Sequence, residues 1–506
     1  MGKPVFKTYA QYQGFLIPPT FDDLVDVHHP VRIVNSIIEQ IDISPIEKKY
    51  HSRGTSSYHP RMLLKVLVYS YLSNIYSSRK MECAVKENIH FMWLAAMSKP
   101  DHNTINRFRS DRLKDVLKKI FVQIVQLLAE QGLVSLKEVY VDGTKLEANA
   151  SKYSFVWGNS IKTNKEKIKK QLDELWQYAQ NIAAEEMDQP DPPPFDKIDA
   201  TVVKETVEKI DAALKDKPVS KEIKQKLNYA RKNWPANLDK YEAQEKILAG
   251  RSSYSKTDHG ATFMRMKEDH MKNGQLKPGY NLQIATNDQY IVNYSIHQTT
   301  ADTTTLIEHL DQHKEQYGNL PEVVVADAGY GSEQNYQYLQ GNNIGNYVKY
   351  NYFDREQKKD DKYPFKAEQL YYNEQKDCFY CPMGQQMNNA GTTTRTTAND
   401  FKQSVTYYQA QNCEGCPLRG VCHKSKGNRT IEVNHQLRKY KQQVKESLNS
   451  EQGIYYRKKR PCDVEPVFGN IKHNHGYRRF MLRTKPKVEI EAGLLAIAHN
   501  IRKKAA

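Results

Sequence analysis

Apolar positions near the amino end recur at a helical period. Val31, Val34, Ile38 and Ile41 fall on one stripe, and "MLLKVLVYSYL" at 62–72 follows Pro60, whose fixed φ suits a first helical turn. Ser78 with Glu82 suggests another helix start, and Asp101 in "KPDHNTINRFRSDRL" is an N-cap ahead of a further one. The period changes at "VYVDGTKLEANA", 139–150, where Val139, Tyr140 and Val141 predict a central strand that ends on Asp142 and turns at Gly143. A polar, lysine-rich stretch over roughly 159–250 follows. In it Leu172, Leu175, Ala179 and Ile182 keep a helical stripe, and "QPDPPPFD" at 189–196 predicts a loop. Alternation returns in "ATFMRMK", "YNLQIATND" and "YIVNYSIHQ", which predict an antiparallel meander with a short Asn-Asp-Gln turn. "TTLIEHLDQH" predicts a helix, and "PEVVVADAGYGS" at 321–332 predicts a second buried strand ending on a carboxylate, Asp327, again before glycine.

An aspartate at a strand end can simply cap a turn. Two such strands can also place both carboxylates at one sheet edge, the pair of hard oxygen donors that Mg²⁺ requires. A third acidic group stands in "YYRKKRPCDVEPVFGNIKHNHGYRRF", 455–480. There Val464, Phe468 and Ile471 share a helical face, while Glu465 and Lys472 lie seven residues apart on the adjacent stripe. Pro466 disfavours α geometry at Glu465, so the regular helix is expected to begin at Pro466 with Glu465 on its lip. Arg457, Lys458, Lys459, Arg460, Arg478 and Arg479 add positive charge suited to phosphates, or to a solvated basic face.

Composition extends this reading. Among 506 residues, 75 Lys and Arg against 59 Asp and Glu give a formal charge of +16 and a pI near 9.2, which favours a polyanionic partner, nucleic acid first. In the 101–113 region Asn103, Arg107 and Arg109 are expected to point away from Ile105 and Phe108. This short helix, turn and basic helix could enter a DNA major groove or form an ordinary solvated face. The longest apolar run, 62–72, holds Lys65 and is too short for a bilayer. The first residues lack an apolar signal core, and Phe6 breaks the myristoylation pattern despite Gly2, so a cytosolic protein is expected. Five of seven cysteines crowd between 378 and 422. "CFYC" and "CEGCPLRGVCH" provide two C-x-x-C pairs, then Cys422 and His423, a spacing that can close on tetrahedral zinc; free buried thiols are the alternative.

These blocks together resemble the DDE transposases of bacterial insertion sequences, in particular the insertion sequence 1182 family. "YVDGTKLEANASKYSFVW", "VVADAGYGS" and "VEPVFGNIKHNHGYRRF" are similar to its three catalytic blocks, and "YHPRMLLKVLVYSYL" with "PDHNTINRFR" to its helical amino-terminal domain. The resemblance implies an α/β fold with an RNase H-like catalytic core. Its parts are a helical DNA-binding domain (1–132), the first part of the core (133–158), a helical insertion (159–255), the core continued (256–355), a Cys-rich zinc-binding insertion (356–430) and a carboxy-terminal helical part bearing the glutamate (431–506). It implies Asp142, Asp327 and Glu465 as the triad holding two Mg²⁺, with Mn²⁺ as a substitute, and Lys472 as a phosphate contact. Related families place a tyrosine and an arginine seven and four residues before the glutamate. Those positions here are Lys458 and Pro461, with Tyr456 and Arg460 nearby. A structural zinc would rest on Cys381, Cys413, Cys416 and Cys422, with Cys378 as an alternative. The implied activity is cleavage at element ends and transfer of the 3′ hydroxyls into target DNA, by a homodimer in the synaptic complex of a bacterial, nucleoid-associated protein. A nuclease of the same fold without strand transfer, or a non-enzymatic DNA-binding relic, would share many of these residues.

Overall fold

The computed structural model of the chain describes residues 20–50, 57–182, 198–215, 217–266, 274–358, 365–397 and 399–506. The loop expected at 189–196 lies outside the described residues. Helices Pro30–Gln40, Pro60–Leu72, Ser78–Glu87, His102–Arg107 and Leu117–Glu130 form an amino-terminal layer, with Val31, Val34, Ile38 and Ile41 all buried. Asp101 caps the fourth of these by accepting from Thr104 N at 2.8 Å.

A mixed sheet follows, from strands β1 (Glu138–Glu147), β4 (Thr262–Arg265), β5 (Leu276–Asn287), β6 (Tyr290–His297), β7 (Val323–Ala326) and β8 (Gly345–Val348). The strands β2 (Phe155–Trp157) and β3 (Ser253–Ser255) pair separately. The sheet order is β4-β5-β1-β7-β8, with β6 beside β5. β4, β5 and β6 are the expected antiparallel meander, and β1, β7 and β8 run parallel. The β5–β6 turn is Asp288–Gln289, both at positive φ (48° and 64°), as a two-residue hairpin whose twist matches its strands requires. Every residue of β6 is buried, so polar side chains there find partners within the protein. Asn293 donates to His309 O at 2.8 Å, and Ser295 Oγ lies 2.7 Å from both His297 Nε2 and His309 Nδ1.

The expected turn at Gly143 does not occur: β1 runs through Asp142 and Gly143 to Glu147. Glycine is needed there for close approach, since a Cβ would collide with Gln283 Nε2 and stand 2.9 Å from Asp302 Oδ1. The helix expected to begin at Pro466 instead runs unbroken over Glu451–Gly469, with Pro461 and Pro466 inside it. Pro466 cannot donate to Cys462 O four residues back, and Gln289 Nε2 takes that carbonyl at 2.9 Å. The hairpin tip also holds this helix through Gln289 N and Thr286 Oγ1, which donate to Asp463 Oδ1 at 3.2 and 2.6 Å, and through Lys459–Asp288 at 2.9 Å. Val464 and, in the turn that follows, Ile471 are buried as expected, with Val467 beside them and Phe468 partly buried against the same core.

One hydrophobic core joins the amino-terminal helices, the mixed sheet and the last helix, Lys485–Ala505, which is buried over most of its length. Helices Gly158–Ile182, Ala200–Ala213 and Lys221–Leu248 have a separate core around Leu172, Trp176, Ile210 and Trp234. The cysteine-bearing segment holds an antiparallel sheet of β9 (Tyr372–Asn373), β10 (Cys378–Tyr380), β11 (Gln386–Thr396), β12 (Lys402–Ala410) and β13 (Thr430–Val433), with its own small core. Among the described residues, no helix is long and apolar enough to cross a membrane.

Candidate active site

The parallel pairing of β1 and β7 sets Val141 opposite Ala326. The next residue in each segment is an aspartate, within β1 and just past the end of β7, so Asp142 and Asp327 emerge side by side. Asp142 is 8% exposed, and its Oδ1 accepts from Gly143 N at 2.8 Å. Asp327 ends its strand and caps the turn Ala328–Tyr330 by accepting from Gly329 N at 2.9 Å. From the helix Glu451–Gly469 and the π-turn Asn470–Asn474 that follows, Glu465, Phe468, Gly469 and Lys472 face the same place, at the i, i+3, i+4, i+7 spacing of one helical stripe. With Thr144, Arg460 and His473 these residues and the two aspartates line one open cleft of about 430 Å³.

Arg460 sits across this cleft. Its Nη2 is 3.3 Å from Asp142 Oδ2 and 3.9 Å from Asp327 Oδ2, so both carboxylates share one cationic nitrogen. Beneath them Tyr330 is fully buried. Burial first, then the carboxylates of Asp302, Asp142 and Asp327, push its hydroxyl far above the usual phenol range. Glu465 is exposed. Among the described residues, no group of three His, Cys, Asp or Glu side chains is arranged to hold a metal ion as it stands. The donor set nevertheless suits a hard divalent cation, because the two adjacent carboxylates already accommodate a positive charge between them and a third opens into the same cleft.

The remaining expected residues divide by burial. Lys472 is 6% exposed at the cleft wall, and Arg478 is exposed. Arg479 donates to Ala148 O at 3.1 Å and Ala150 O at 3.3 Å, fastening the segment after the π-turn to the end of β1. Tyr456 is 2% exposed and donates to Glu138 Oε1 at 3.0 Å, which places its hydroxyl at the start of β1 instead of in the cleft. Asn103 and Arg107 are exposed on their helix, but Arg109 is 3% exposed and does not face outward as expected. The α-helix stops at Arg107, and the π-turn Phe108–Arg112 rotates Arg109 into the core. There Arg109 donates to Tyr76 O at 2.8 Å and Tyr71 Oη at 3.2 Å, and it stands 3.8 Å from the buried Glu491. Glu491, whose carboxyl burial pushes up, also accepts from Met481 N and Leu482 N at 2.8 and 2.9 Å. Sequence periodicity has no signal for such a pair, because its partners meet only across two layers.

Cys381, Cys413, Cys416, Cys422 and His423 line one small cavity, while Cys378 is buried in β10 and is not part of that lining. Arg429 contributes N to Cys413 Sγ at 3.3 Å and Nη1 to Cys422 Sγ at 2.8 Å. His423 Nε2 is buried there with no hydrogen-bond partner. Burial and the nearby Arg419 and Arg429 lower its imidazole pKa. Thiols and imidazole are zinc-type donors, but among the described residues no three of them are arranged to hold a metal ion as they stand.

Two family models match the chain. Residues 19–111 match "Transposase domain (DUF772)", and residues 380–505, which include Glu465, Lys472 and the cysteine cavity, match "Transposase DDE domain". Asp142 and Asp327 lie outside both segments, so geometry alone joins them to Glu465. No curated protein and no solved structure matches the chain. The chain is thus similar to a transposase domain over its first helical layer and to the DDE domain of transposases over its carboxy-terminal quarter.

Proposed function

We propose that the chain is the DNA transposase of an insertion sequence of the 1182 type, with an RNase H-like core that cuts element ends and joins the freed 3′ hydroxyls to target DNA. The observation that carries this is the convergence of Asp142, Asp327 and Glu465, distant in the chain, on one cleft beside Arg460 and Lys472. The antiparallel meander followed by a parallel pair, with the two aspartates on adjacent strands, supports the core assignment.

In this reading Asp142, Asp327 and Glu465 would hold two Mg²⁺ ions, with Mn²⁺ as a substitute. Bound there, such ions would supply an activated water or hydroxyl and a counter-charge for the leaving oxygen. Lys472 orients a DNA phosphate at the cleft wall, and exposed Arg478 extends the basic track. Arg460 holds positive charge at the two aspartates. Asn103 and Arg107 are the outward groups of the first helical layer available to a DNA groove. Arg109, Arg479 and Tyr456 serve the fold that carries these groups. Zinc on Cys381, Cys413, Cys416 and Cys422, with His423 as an alternative to one of them, would stiffen the inserted sheet. In this reading a homodimer pairs the two element ends.

The test is Mg²⁺-dependent cutting and joining of a duplex that carries the DNA flanking the gene, with a target plasmid present. Wild type should cut and join. Asp142→Asn keeps an acceptor for Gly143 N but removes a charged ligand, and should slow cutting by roughly a thousandfold, because several kcal/mol of transition-state stabilisation is lost. Its binding to the duplex in Ca²⁺ should persist. Near wild-type cutting by the mutant would return Asp142 to a backbone role. Cutting without joining would make the protein a nuclease, and end-selective binding without cutting a non-enzymatic DNA-binding protein.

A further inference from the structure

A fourth carboxylate lies behind the cleft. Asp302 begins the short 3₁₀ turn Asp302–Thr304 that follows β6. Its Oδ1 accepts from Asn281 Nδ2 at 2.7 Å and Gln283 Nε2 at 2.9 Å. Both donors sit on β5, and Gln283 is the partner of Gly143 in the β1–β5 register, one residue beyond Asp142. The oxygen of the Gln283 amide receives the buried Tyr330 hydroxyl, which comes from the turn that Asp327 caps. The neighbouring Thr303 is tied to that same turn. Thr303 Oγ1 donates to Gly329 O at 2.8 Å, and Asn335 Nδ2 donates to Thr303 O at 2.9 Å and Tyr330 O at 2.7 Å.

The glycine after Asp142 is explained by the close approach of Gln283 and this turn, whereas the one after Asp327 stands at ordinary contact distance from it. A Cβ on Gly143 would collide with Gln283 and stand 2.9 Å from Asp302 Oδ1; one on Gly329 would lie 3.8 Å from Asp302 Oδ2. The segment 302–304 therefore packs closely against the backbone beside Asp142 and is hydrogen-bonded, through Thr303, to the turn beside Asp327.

Building on the transposase reading above, we propose that Asp302 is a positioning residue: it orients Gln283 and, through Gln283 and Tyr330, keeps Asp142 and Asp327 abreast for a divalent cation. Without it Asn281 and Gln283 lose this shared acceptor, Gln283 Nε2 keeps only Asn281 Oδ1 at 3.0 Å, and the amide that receives the Tyr330 hydroxyl is held less firmly. The Asp327 turn, still tied by Thr303 and Asn335, would then be less firmly aligned with β1. Asparagine can present its amide oxygen to the same two donors, so the geometry, and not the charge, is what the position requires.

The experiment uses the full chain and two readouts. The first is Mn²⁺ affinity without DNA, from loss of the free-ion paramagnetic resonance signal. The second is the Mg²⁺ concentration giving half-maximal cutting of the flanking-DNA duplex. Asp302→Ala should weaken Mn²⁺ binding and raise the Mg²⁺ requirement by about 10- to 100-fold, the range for losing a group that orients metal ligands. Asp302→Asn should restore both to within about threefold, since the orienting bonds remain. Gly143→Ala should repeat the Asp302→Ala result, because its Cβ displaces Gln283. Wild-type metal affinity in Asp302→Ala overturns the proposal, as does an Asp302→Asn variant as weak as the alanine. Should wild type bind Mn²⁺ yet cut nothing, the transposase reading fails while the affinities still decide the role of Asp302. If wild type binds no Mn²⁺, the positioning role falls whatever the DNA assay shows.

Discussion

Arg109 and Asp142 show how differently single residues are decided. Asp142 accepts from its own neighbour Gly143, as a turn residue would, yet its strand continues straight and its second oxygen meets Arg460. Arg109 has the sequence context of a DNA contact and the surroundings of a core ion pair. Replacing it with methionine leaves Glu491 buried without its cation and should destabilise the protein by about 3–5 kcal/mol at neutral pH. The double variant Arg109→Met with Glu491→Gln should recover much of this, because no buried charge is then left unpaired and the amide oxygen still accepts from Met481 N and Leu482 N. Urea denaturation of the two variants checks the prediction. The single-variant deficit should shrink as pH falls, since burial has already raised the Glu491 pKa and its protonation removes the stranded charge.

Among the elements, the glutamate-bearing helix and the cysteine-bearing sheet depend on outside support. The helix survives two prolines because its start is capped by Ser450, which accepts from Gly453 N at 3.0 Å, and because Gln289 occupies the carbonyl that Pro466 leaves free. The β9–β13 sheet has a core of only a few residues around Phe379, Met387 and Tyr408, little for an independent unit. Its cysteine cavity would compensate if it closed on metal. Purified protein should therefore contain about one zinc per chain, as expected for a single tetrahedral site. Cys413→Ser should lose the metal and make the β11–β12 hairpin sensitive to protease, while the rest of the fold stays intact. Metal analysis of reduced, chelator-free protein together with limited proteolysis tests this. Zinc-free wild type with a resistant hairpin would favour plain buried thiols.

At the scale of the molecule, the amino-terminal helices and the sheet share one core around the last helix, so the groups that would touch a DNA groove and the cleft are held in a fixed relation. Several histidines are sealed in this unit. Burial lowers His313 and His499 from the ordinary 6.5 to about 4, and His499 Nε2 lies 2.8 Å from Gln289 O. In the unfolded chain they take up protons near pH 6.5; in the folded chain they do so only near 4. Their contribution is complete above 6.5, is lost as pH falls between 6.5 and 4, and levels off below. His499→Gln can still donate to Gln289 O but no longer titrates. Its denaturation midpoint should thus fall less steeply over that pH window than that of wild type. Comparing the two cancels the opposite effect of Asp463, Glu489 and Glu491, whose carboxyls burial raises. Equal slopes would show that His499 is not held neutral.

By itself the sequence determined what short-range physics can encode. Apolar period and caps placed the first helices, alternation placed the β5–β6 hairpin, and the i to i+7 spacing put Glu465 and Lys472 on one stripe. The repeat of an apolar strand ending in Asp-Gly or Asp-Ala-Gly pointed to two carboxylates at one edge. Which edge, and that they lie abreast, came from the parallel register of β1 and β7, a pairing between segments far apart in the chain. Only tertiary contacts could keep a helix whole through Pro466, turn Gly143 from a bend into a close approach, and rotate Arg109 inward. Each outcome depends on a partner, Gln289, Asp302 or Glu491, that no local window contains. Local sequence chooses conformations within a turn or two, whereas burial and hydrogen bonding between distant elements decide where a carboxylate points and what it meets.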